Sequence, residues 1–324
     1  MDEKITKELR GLVGDRLKEN EPLSKHLVFR VGGPAKWFVE VRAVGELTEV
    51  MKIAKDNEID WVVLGGGSNA IASDQGYDGI VIKIGMQEIK IDGQKVIVDA
   101  GLPSVALARK ASDVGLTGLE WMASLPGTVG GAIRGNAGCF GGEAHNHLTA
   151  VNVLRAGDVK RVEARDLIFG YRHSTFKDEN CKDIILSAEF TLESSDPSVV
   201  KEKMALILDK RSTSQPLACG TAGCTFKNYE IKDEQEKSRL EDQTEIPKEM
   251  LESSKVSAGW LIDSLDLKGT RIGNAHISEN HANFIINDGQ ATASDIVQLI
   301  SLVKTKVRDV YNIQLEEEIE YIGF

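Results

Sequence analysis

The sequence predicts a globular protein of two or three domains, built from alternating helices and strands with glycine-rich loops between them. The chain of 324 residues is 41% hydrophobic and 27% charged, which is enough to bury more than one core. Apolar residues recur at helical spacing in some stretches and run without interruption in others, as they do in helices and buried strands. Glycines are concentrated in two clusters, which fix the course of the backbone rather than a side-chain surface.

The first third of the chain shows the clearest alternation of elements. Its predicted elements are a helix carrying Leu47, Val50, Met51 and Ala54, strands at Trp61 to Leu64, Ile80 to Ile84 and Val96 to Val98, and a helix between Pro103 and Gly115. One glycine loop, Gly65 to Asn69, follows the first strand, and the second glycine cluster spans Leu119 to Glu143. We therefore expect both glycine segments to lie between ordered elements.

Two helices are predicted in the second half of the chain. The first has Val200, Met204 and Leu208 on its buried face and is expected to end near Lys210–Arg211. The last helix begins at Thr292, because Thr292 and Asp295 form a capping-box pattern. Its predicted buried face consists of Ile296, Leu299, Ile300, Val303, Val307 and Val310.

Two other segments interrupt the pattern of predicted helices and strands. Gln215–Pro216 is expected to mark a domain crossing, since the residue before proline avoids helical geometry. Residues 229–254 are rich in Glu and Asp and lack strong periodicity. We expect them to form an exposed acidic insertion that is partly helical at most.

The charge and the cysteines argue against several classes of protein. A formal net charge of −11 argues against general binding to nucleic acids or anionic membranes, which are held by clustered Lys and Arg. The four cysteines have no metal-ligand spacing, so we expect reduced thiols and no metal site. No apolar run approaches the roughly 18 to 20 residues that span a bilayer, and the charged N-terminus lacks a signal-peptide core. We therefore expect a cytoplasmic protein.

The two glycine segments are candidates for a phosphate site. Consecutive backbone N–H groups in such loops can bind a pyrophosphate, although a pair of tight turns would give the same pattern. The chain has neither the G-x-G-x-x-G fingerprint of Rossmann domains nor a G-x-x-x-x-G-K-[ST] loop. A different kind of phosphate cradle is required.

A series of short segments resembles, in order along the chain, the UDP-N-acetylenolpyruvoylglucosamine reductase (MurB) family. These segments are Arg30–Ala35, Leu64–Asn69, Pro126–Ala132, Tyr171–Lys177, Ala222–Asn228, Ala258–Asp263, His281–Phe284 and Leu315–Gly323. The first two would also suit the wider group of flavin oxidases, and the later ones select the reductase family. The stretch from Gly127 to Gly138 is similar to the short form of that family.

The resemblance implies an α+β protein with a two-part FAD-binding fold of the flavin oxidase type and a separate α+β substrate-binding domain. The implied domains are residues 1–85 with 313–324, residues 86–205, and residues 206–312, which include the acidic insertion 229–254. The implied reaction reduces UDP-N-acetylglucosamine enolpyruvate to UDP-N-acetylmuramate, a peptidoglycan precursor, with non-covalent FAD and with NADPH as hydride donor. A monomer without nucleic-acid or membrane partners is expected.

Other functions remain open at the level of the sequence. The chain could be a flavin-dependent oxidase of alcohols or sugars, or a nucleotide-sugar-binding protein that has lost catalysis. If the flavin were covalent, Cys139 near the second glycine cluster would be the conceivable tether.

The resemblance also implies a set of site residues. For FAD these are Arg30, Gly65, Gly66, Gly67, Ser68, Asn69, Pro126, Gly127, Thr128, Gly130, Gly131, Asn136 and Gly138. For the substrate they are Tyr171, Lys227, Asn228, His281 and Asn283. Asn228 is followed by Tyr229 where the family usually has proline, so the chain is expected to leave this motif along another path.

Three residues are the implied catalytic groups. Arg172 would bind the substrate carboxylate as negative charge develops, although a simple salt bridge is the ordinary role of an arginine. Glu318 would donate a hydrogen bond to the enolate, and the alternative is an exposed acidic edge formed with Glu316 and Glu317, the latter standing where proline is usual.

Cys224 stands where most family members have the serine proposed to deliver the proton. A thiol has an unperturbed pKa of about 8.5 and can serve as that acid. Cys224 could instead be a small buried hydrophobic residue or pair with Cys219.

Overall fold

The computed structural model describes residues 2–214, 220–243 and 245–324. They form two compact units that each draw on separate parts of the chain. The first unit comprises Met1–Glu21, Pro34–Gly67 and Tyr77–Thr213, and the second comprises Pro22–Gly33, Ser68–Gly76 and Ser214–Phe324. The expected crossing at Gln215–Pro216 lies outside the described residues, and the finer division into three domains stays a prediction.

Helices and short strands alternate along the described chain. The helices are α1 (Asp2–Val13), α2 (Val44–Asp56), α3 (Ser104–Asp113), α4 (Val129–Arg134), α5 (Pro197–Ser214), α6 (Glu234–Gln243), α7 (Lys248–Glu252), α8 (Ala258–Asp263) and α9 (Ala293–Tyr311). The strands are β1 (Leu17–Pro22), β2 (Pro34–Val41), β3 (Trp61–Leu64), β4 (Ala70–Ala72), β5 (Tyr77–Ile84), β6 (Ile89–Asp92), β7 (Lys95–Asp99), β8 (Leu116–Thr117), β9 (Gly138–Cys139), β10 (Gly142–Glu143), β11 (Leu148–Arg155), β12 (Asp158–Glu163), β13 (Phe169–Gly170), β14 (His173–Ser174), β15 (Ile184–Thr191), β16 (Glu193–Ser194), β17 (Tyr229–Glu230), β18 (Lys255–Val256), β19 (Arg271–Ile272), β20 (Ala275–Ile277), β21 (Ile285–Asn287) and β22 (Glu320–Ile322).

Two sheets organise the first unit. A four-stranded sheet has the order β1-β2-β5-β3, and β5 pairs in parallel with both β2 and β3. A five-stranded antiparallel sheet has the order β12-β11-β15-β7-β6. Buried residues of both sheets, including Ile80, Ile82, Val96 and Val98, belong to one hydrophobic cluster. Because β3 ends at Leu64, the first glycine loop begins at the carboxyl end of a strand in a parallel pair, where ligand sites of α/β sheets commonly lie.

The predicted elements of the first third of the chain are confirmed. The strand and helix positions agree with β3, β5, β7 and α3, and Leu47, Val50 and Ala54 of α2 are fully buried. The α5 prediction is partly wrong, since the helix continues to Ser214 and Leu208 is 44% exposed. Val200 and Met204 are buried as expected, and the helical period then places Ile207 rather than Leu208 toward the core.

The second unit is built around α9. Thr292 and Asp295 form the predicted capping box, and the predicted apolar face is buried except for Val310, which is 57% exposed. Tyr311 takes the inward position instead, because it lies one turn after Val307, and its hydroxyl is 2.8 Å from Ser264 Oγ. The three-stranded antiparallel sheet β19-β20-β21 and the parallel pair β22-β4 complete the unit.

The expectation of an exposed acidic insertion at residues 229–254 is wrong in its central point. The segment contains α6 and α7, and Leu240, Ile246 and Leu251 are buried in the core cluster of the second unit. The sequence misled because its many charged residues cover the outer faces, while a few widely spaced apolar residues anchor the segment. The segment is therefore an integral part of the second unit.

Across the described ranges, no helix combines the length and apolar character that a membrane span requires.

Candidate active site

The two glycine loops of the first unit pack against each other, backbone to backbone. A Cβ on Gly66 would collide with the backbone of Gly127, and one on Gly65 would lie 2.7 Å from Thr128 Oγ1. Only glycine allows two loops to approach so closely. The Thr128 hydroxyl lies next to Gly65 and Gly131, where a glycine backbone can present N–H groups to a pyrophosphate. These residues fit the phosphate part of a flavin dinucleotide.

Hydrogen bonds from neighbouring strands hold this pair of loops in place. The N–H of Gly130 donates to Ala100 O at 2.9 Å, so this predicted cofactor residue fixes the start of α4 through its backbone. Lys83 Nζ donates to Gly65 O at 2.5 Å, and burial lowers the pKa of the Lys83 ammonium. Hydrogen bonds within the protein therefore hold both loops. Two other predicted residues of this region, Gly67 and Gly127, have positive φ. A Cβ added to Gly131 would lie 3.5 Å from Thr128 Oγ1.

Asn136 anchors the end of this region from within the protein. Its side chain is 1% exposed, and Nδ2 donates to Glu143 Oε2 at 3.0 Å and to Gly170 O at 2.9 Å. Its Oδ1 accepts from the backbone N–H of His145 at 3.3 Å and lies 3.2 Å from His145 Nδ1. Because these bonds use the amide fully, any effect of Asn136 on a cofactor would pass through the backbone that it positions.

Arg172 lies at the tip of a hairpin formed by β13 and β14. Its φ of 55° is rare for a residue with a side chain, and such conformations persist only where the surroundings enforce them. Two hydrogen bonds anchor the hairpin: Asn136 Nδ2 donates to Gly170 O at 2.9 Å, and Ser174 Oγ donates to Arg134 O at 2.7 Å. The guanidinium lies 5.4 Å from the ring of Tyr171.

The Arg172 guanidinium also borders the β9–β10 hairpin. A Cβ on Gly138 would lie 3.4 Å from Arg172 Nη1. The predicted cofactor residue Gly138 and the predicted catalytic Arg172 therefore adjoin each other in the first unit.

Cys139 has the features of a structural thiol. Its Sγ lies 3.5 Å from Trp121 O, and burial raises the pKa of the thiol. Thiols are reactive when their pKa is lowered, so this environment disfavours the covalent tether that the sequence left open.

In the second unit, three chain segments align side by side around Cys224. Residues Cys224 and Phe226 form isolated bridges with Phe284 and Glu317 respectively. The N–H of Thr225 donates to Asn283 O at 2.8 Å, and the N–H of Glu318 donates to Thr225 O at 2.8 Å. Cys224 and Glu318 therefore lie on adjacent backbone segments, and both are half-buried. Cys219 lies outside the described residues.

The Asn283 side chain is buried and holds the aligned backbone segments together. Its side chain is 3% exposed, its Oδ1 accepts from Phe226 N–H at 2.9 Å, and its Nδ2 donates to Phe226 O at 2.8 Å. His281 Nδ1 accepts from Asn283 N–H at 3.3 Å. Burial lowers the pKa of the His281 imidazole. Because Nδ1 accepts the Asn283 N–H, the proton of the neutral ring is assigned to Nε2.

Two of the three consecutive glutamates, Glu316 and Glu317, form ion pairs with different lysines. Glu316 Oε2 accepts from Lys227 Nζ at 3.1 Å, and Glu317 accepts from Lys304 Nζ at 2.8 Å. Lys227 thus has a salt bridge of its own. The two neighbours of Glu318 are engaged in ion pairs with Lys227 and Lys304. Glu318 itself lies on the segment that bonds Thr225, next to Cys224.

Several other predicted residues lie in the second unit, and Pro126, which precedes Gly127, lies in the first. Asn228 Oδ1 accepts from Ala258 N–H at 3.1 Å and so holds the start of α8. Arg30 has a φ of 57°, and the preceding carbonyl, of Phe29, accepts from Asn287 Nδ2 at 2.8 Å. Ser68 and Asn69 follow the first glycine loop along the chain, and Asn69 Nδ2 donates to Glu318 O at 2.8 Å.

Sequence reasoning missed several supporting residues. Lys83 carried a recognisable signal, since it is a lysine inside an apolar strand. Asp74 carried none, yet its carboxylate accepts from the N–H groups of Ala293 and Ser294 and fixes the start of α9. Glu143 and Ser174 lay within or near the recognised motifs but had no assigned role.

Comparison with known proteins agrees with the geometry of both units. A model of the FAD binding domain matches residues 35–163, and a model of the UDP-N-acetylenolpyruvoylglucosamine reductase C-terminal domain matches residues 215–322. The UDP-N-acetylenolpyruvoylglucosamine reductase of Carboxydothermus hydrogenoformans is 36% identical over 324 residues, covering 99% of this chain and 98% of that protein. The enzyme of the same name from Streptococcus uberis is 37% identical over 317 residues, covering 97% and 96%.

A solved structure gives the same result. The chain resembles the crystal structure of UDP-N-acetylenolpyruvylglucosamine reductase (MurB) from Thermus caldophilus with a TM-score of 0.76 and 32% identity, covering 95% of this chain and 100% of that one. The fold and the glycine loops define an α+β, FAD-dependent oxidoreductase. Within that class, the chain belongs to the UDP-N-acetylenolpyruvoylglucosamine reductase family.

Proposed function

We propose that this enzyme uses FAD and NADPH to reduce UDP-N-acetylglucosamine enolpyruvate to UDP-N-acetylmuramate, a precursor of peptidoglycan. The proposal rests on membership of the family and on the geometry of the second unit. Reduction of an enol ether conjugated to a carboxylate requires a hydride at the terminal vinyl carbon, stabilisation of the resulting enolate, and a proton for the adjacent carbon. Bound FAD, once reduced by NADPH, supplies the hydride.

Arg172 is the proposed ligand of the substrate carboxylate. Its guanidinium is permanently charged and can form two parallel hydrogen bonds with a carboxylate. The two bonds that anchor its hairpin keep the turn in a conformation that few residues adopt. An arginine held in this way can stabilise negative charge without reorganising during the reaction.

Cys224 and Glu318 are the proposed proton donor and enolate stabiliser. The thiol proton of Cys224 would move to the carbon next to the carboxylate, and solvent would restore the proton to the thiolate. Glu318, in its protonated form, would donate a hydrogen bond to the enolate oxygen. The observation that supports this proposal is the backbone hydrogen bond from Glu318 N–H to Thr225 O at 2.8 Å, which joins the two segments that carry Cys224 and Glu318.

The remaining assignments complete the proposal. Tyr171, Lys227, Asn228 and His281 would contact the nucleotide sugar. Residues 206–312 would form the substrate domain, and residues 1–85 with 313–324 and residues 86–205 would form the two FAD-binding subdomains. We also propose a monomer that works in the cytoplasm. A sugar nucleotide with a charged diphosphate does not cross a bilayer unaided, so its reductase must share the compartment in which it is made.

Anaerobic stopped-flow spectroscopy tests the reaction. NADPH is expected to bleach the absorbance of the bound flavin, and addition of UDP-N-acetylglucosamine enolpyruvate is expected to restore it. Bleaching without recovery would contradict the proposed substrate. Rapid recovery in air without that substrate would indicate an oxidase, and bound flavin that NADPH fails to bleach would indicate a non-catalytic binding protein.

A further inference from the structure

We infer that Asn69 is a positioning residue for Glu318. Its side-chain Nδ2 donates to the carbonyl oxygen of Glu318 at 2.8 Å, across a sequence separation of 249 residues. Its backbone oxygen accepts from Glu320 N–H at 2.9 Å. Asn69 was expected to serve the cofactor, and the contacts within the second unit assign it a further role on the segment that carries the proposed acid.

The position of Glu318 explains why a side chain is needed for this contact. The parallel pairing of β4 and β22 starts at Ala70 and Glu320, two residues beyond Glu318. Regular strand pairing therefore ends before it reaches the Glu318 carbonyl. The side-chain amide of Asn69 reaches two residues further and bonds the Glu318 carbonyl, which the strand pairing does not reach.

The peptide groups on both sides of the Glu318 Cα are fixed by different segments. The N–H donates to Thr225 O at 2.8 Å, and the C=O accepts from Asn69. When both groups of a residue are bonded, its backbone dihedrals and the direction of its Cα–Cβ bond are constrained. The next residue, Ile319, is buried in the core cluster of the second unit. Removal of the Asn69 amide would leave the Glu318 carbonyl without this hydrogen bond, so the orientation of that peptide group would depend on the burial of Ile319 and on the bond from Glu320 N–H to Asn69 O.

The consequence for the reaction depends on the step examined, and it rests on the proposed function. Reduction of the flavin by NADPH makes no use of Glu318, whereas reoxidation by the enolpyruvyl substrate does. If Asn69 positions Glu318, the Asn69→Ala variant should slow substrate-dependent reoxidation roughly 10- to 100-fold, as small misplacements of reacting groups do. The rate of bleaching by NADPH should fall by a clearly smaller factor, because that step does not use Glu318. The Kd for FAD is measured alongside, since Asn69 is also an expected cofactor residue.

A double-mutant cycle separates positioning from general loosening of the fold. Once Glu318→Gln has removed the acid, Asn69→Ala should have little further effect on reoxidation, because the two changes remove the same contribution. Asn57→Ala is the matched control: Asn57 Nδ2 also donates to a backbone carbonyl at 2.8 Å, that of Ile53 at the end of α2. The control should leave both steps unchanged.

Amide hydrogen exchange gives a readout that does not depend on the substrate. In the resting protein, peptides that cover residues 316–322 should exchange roughly two- to tenfold faster in Asn69→Ala than in wild type, the effect of losing one hydrogen bond. Failure of wild type to turn over the substrate would contradict the proposed function and leave this exchange test standing. Unchanged exchange, additive effects in the cycle, or equal slowing of both steps with a much weaker Kd for FAD would overturn the role of Asn69.

Discussion

The two units hold their functional side chains in different ways. In the first unit, Arg172 lies on a hairpin whose anchors are near in sequence: Asn136 reaches Gly170 over 34 residues, and Ser174 reaches Arg134 over 40. In the second unit, Cys224 and Glu318 are held by segments from distant parts of the chain, and the bond from Asn69 to Glu318 spans 249 residues.

Because of this difference, the two arrangements form under different conditions. The anchors of the Arg172 hairpin, Arg134 O and the Asn136 amide, lie at the C-terminal end of α4, so they depend only on the first unit. The second arrangement exists only when the segments at Asn69, Thr225, Asn283 and Glu318 have come together. We therefore expect changes in the second unit to affect substrate-dependent steps through long-range order, and changes in the first unit to act through local geometry.

The largest expected effect is that of Cys224→Ala. Loss of a general acid typically costs 10²- to 10⁴-fold, so reoxidation by the substrate should slow by about that factor. Bleaching by NADPH should be unchanged. Stopped-flow measurement of both steps checks this, with Cys224→Ser expected to restore part of the rate because a hydroxyl can also donate a proton.

A second cysteine provides the control for Cys224. Cys181→Ala changes a half-buried cysteine of the first unit and should leave both rates near wild type. Equal reoxidation rates in wild type and Cys224→Ala would show that another group delivers the proton. The backbone bonds around Cys224 would then not serve to position a proton donor.

Leu240→Ala tests whether the acidic segment belongs to the second unit. Leu240 is fully buried in the same cluster as Phe226, so its truncation should lower the free energy of unfolding by about 2–5 kcal/mol. Glu241→Ala, an exposed neighbour on α6, should change it by less than about 0.5 kcal/mol. Urea denaturation followed by circular dichroism measures both, and a loss below 1 kcal/mol for Leu240→Ala would restore the view of a dispensable insertion.

The outcome for this segment shows where sequence reasoning reaches its limit. Short-range signals were sufficient for β3, α3 and the capping box of α9, because spacing and caps act within one or two turns. The burial of Leu240 depends on what α6 packs against, which local periodicity does not record. The same limit explains the errors at Leu208 and Val310, where neighbouring residues took the inward position.

The candidate residues show the same limit. Motif order placed Arg172, Cys224 and Glu318 on the sequence, but their supports could be found only in three dimensions. Asn136 and Asn283 were expected to contact ligands, and their amides bond the protein backbone instead. The sequence shows that a motif contains an asparagine, but it does not show whether the asparagine amide contacts a ligand or a peptide group of the protein.

Asn136→Ala tests the local anchor of the first unit. The substitution leaves Gly170 O and the Glu143 carboxylate without this donor, so the free energy of unfolding should fall by about 1–3 kcal/mol. Reoxidation by the substrate should also slow, because the turn that carries Arg172 loses one of its two anchors. Asn152→Ala removes a comparable bond, to Ser187 Oγ, and should affect stability alone. Identical kinetics in the two variants would argue against the anchoring role.

The smallest effect concerns the acid stability of the first unit. Hydrogen bonds from Arg161 and then Lys95 lower the pKa of Glu189 to about 2, and its side chain is 9% exposed. Because the folded pKa lies below the unfolded one, this contribution is present above about pH 5 and is lost as the pH falls toward 2. At pH 7, Glu189→Gln should lower the free energy of unfolding by about 1–2 kcal/mol.

That difference between wild type and Glu189→Gln should shrink steadily in urea titrations at pH 5, 4 and 3, because protonation removes the charge that the substitution lacks. A difference that is independent of pH would mean that the glutamine loses packing or geometry rather than charge. Since Glu189 joins β15 to Arg161 of β12 and Lys95 of β7, the pH dependence reports whether electrostatic contacts across one sheet add to the local order on which the first unit depends.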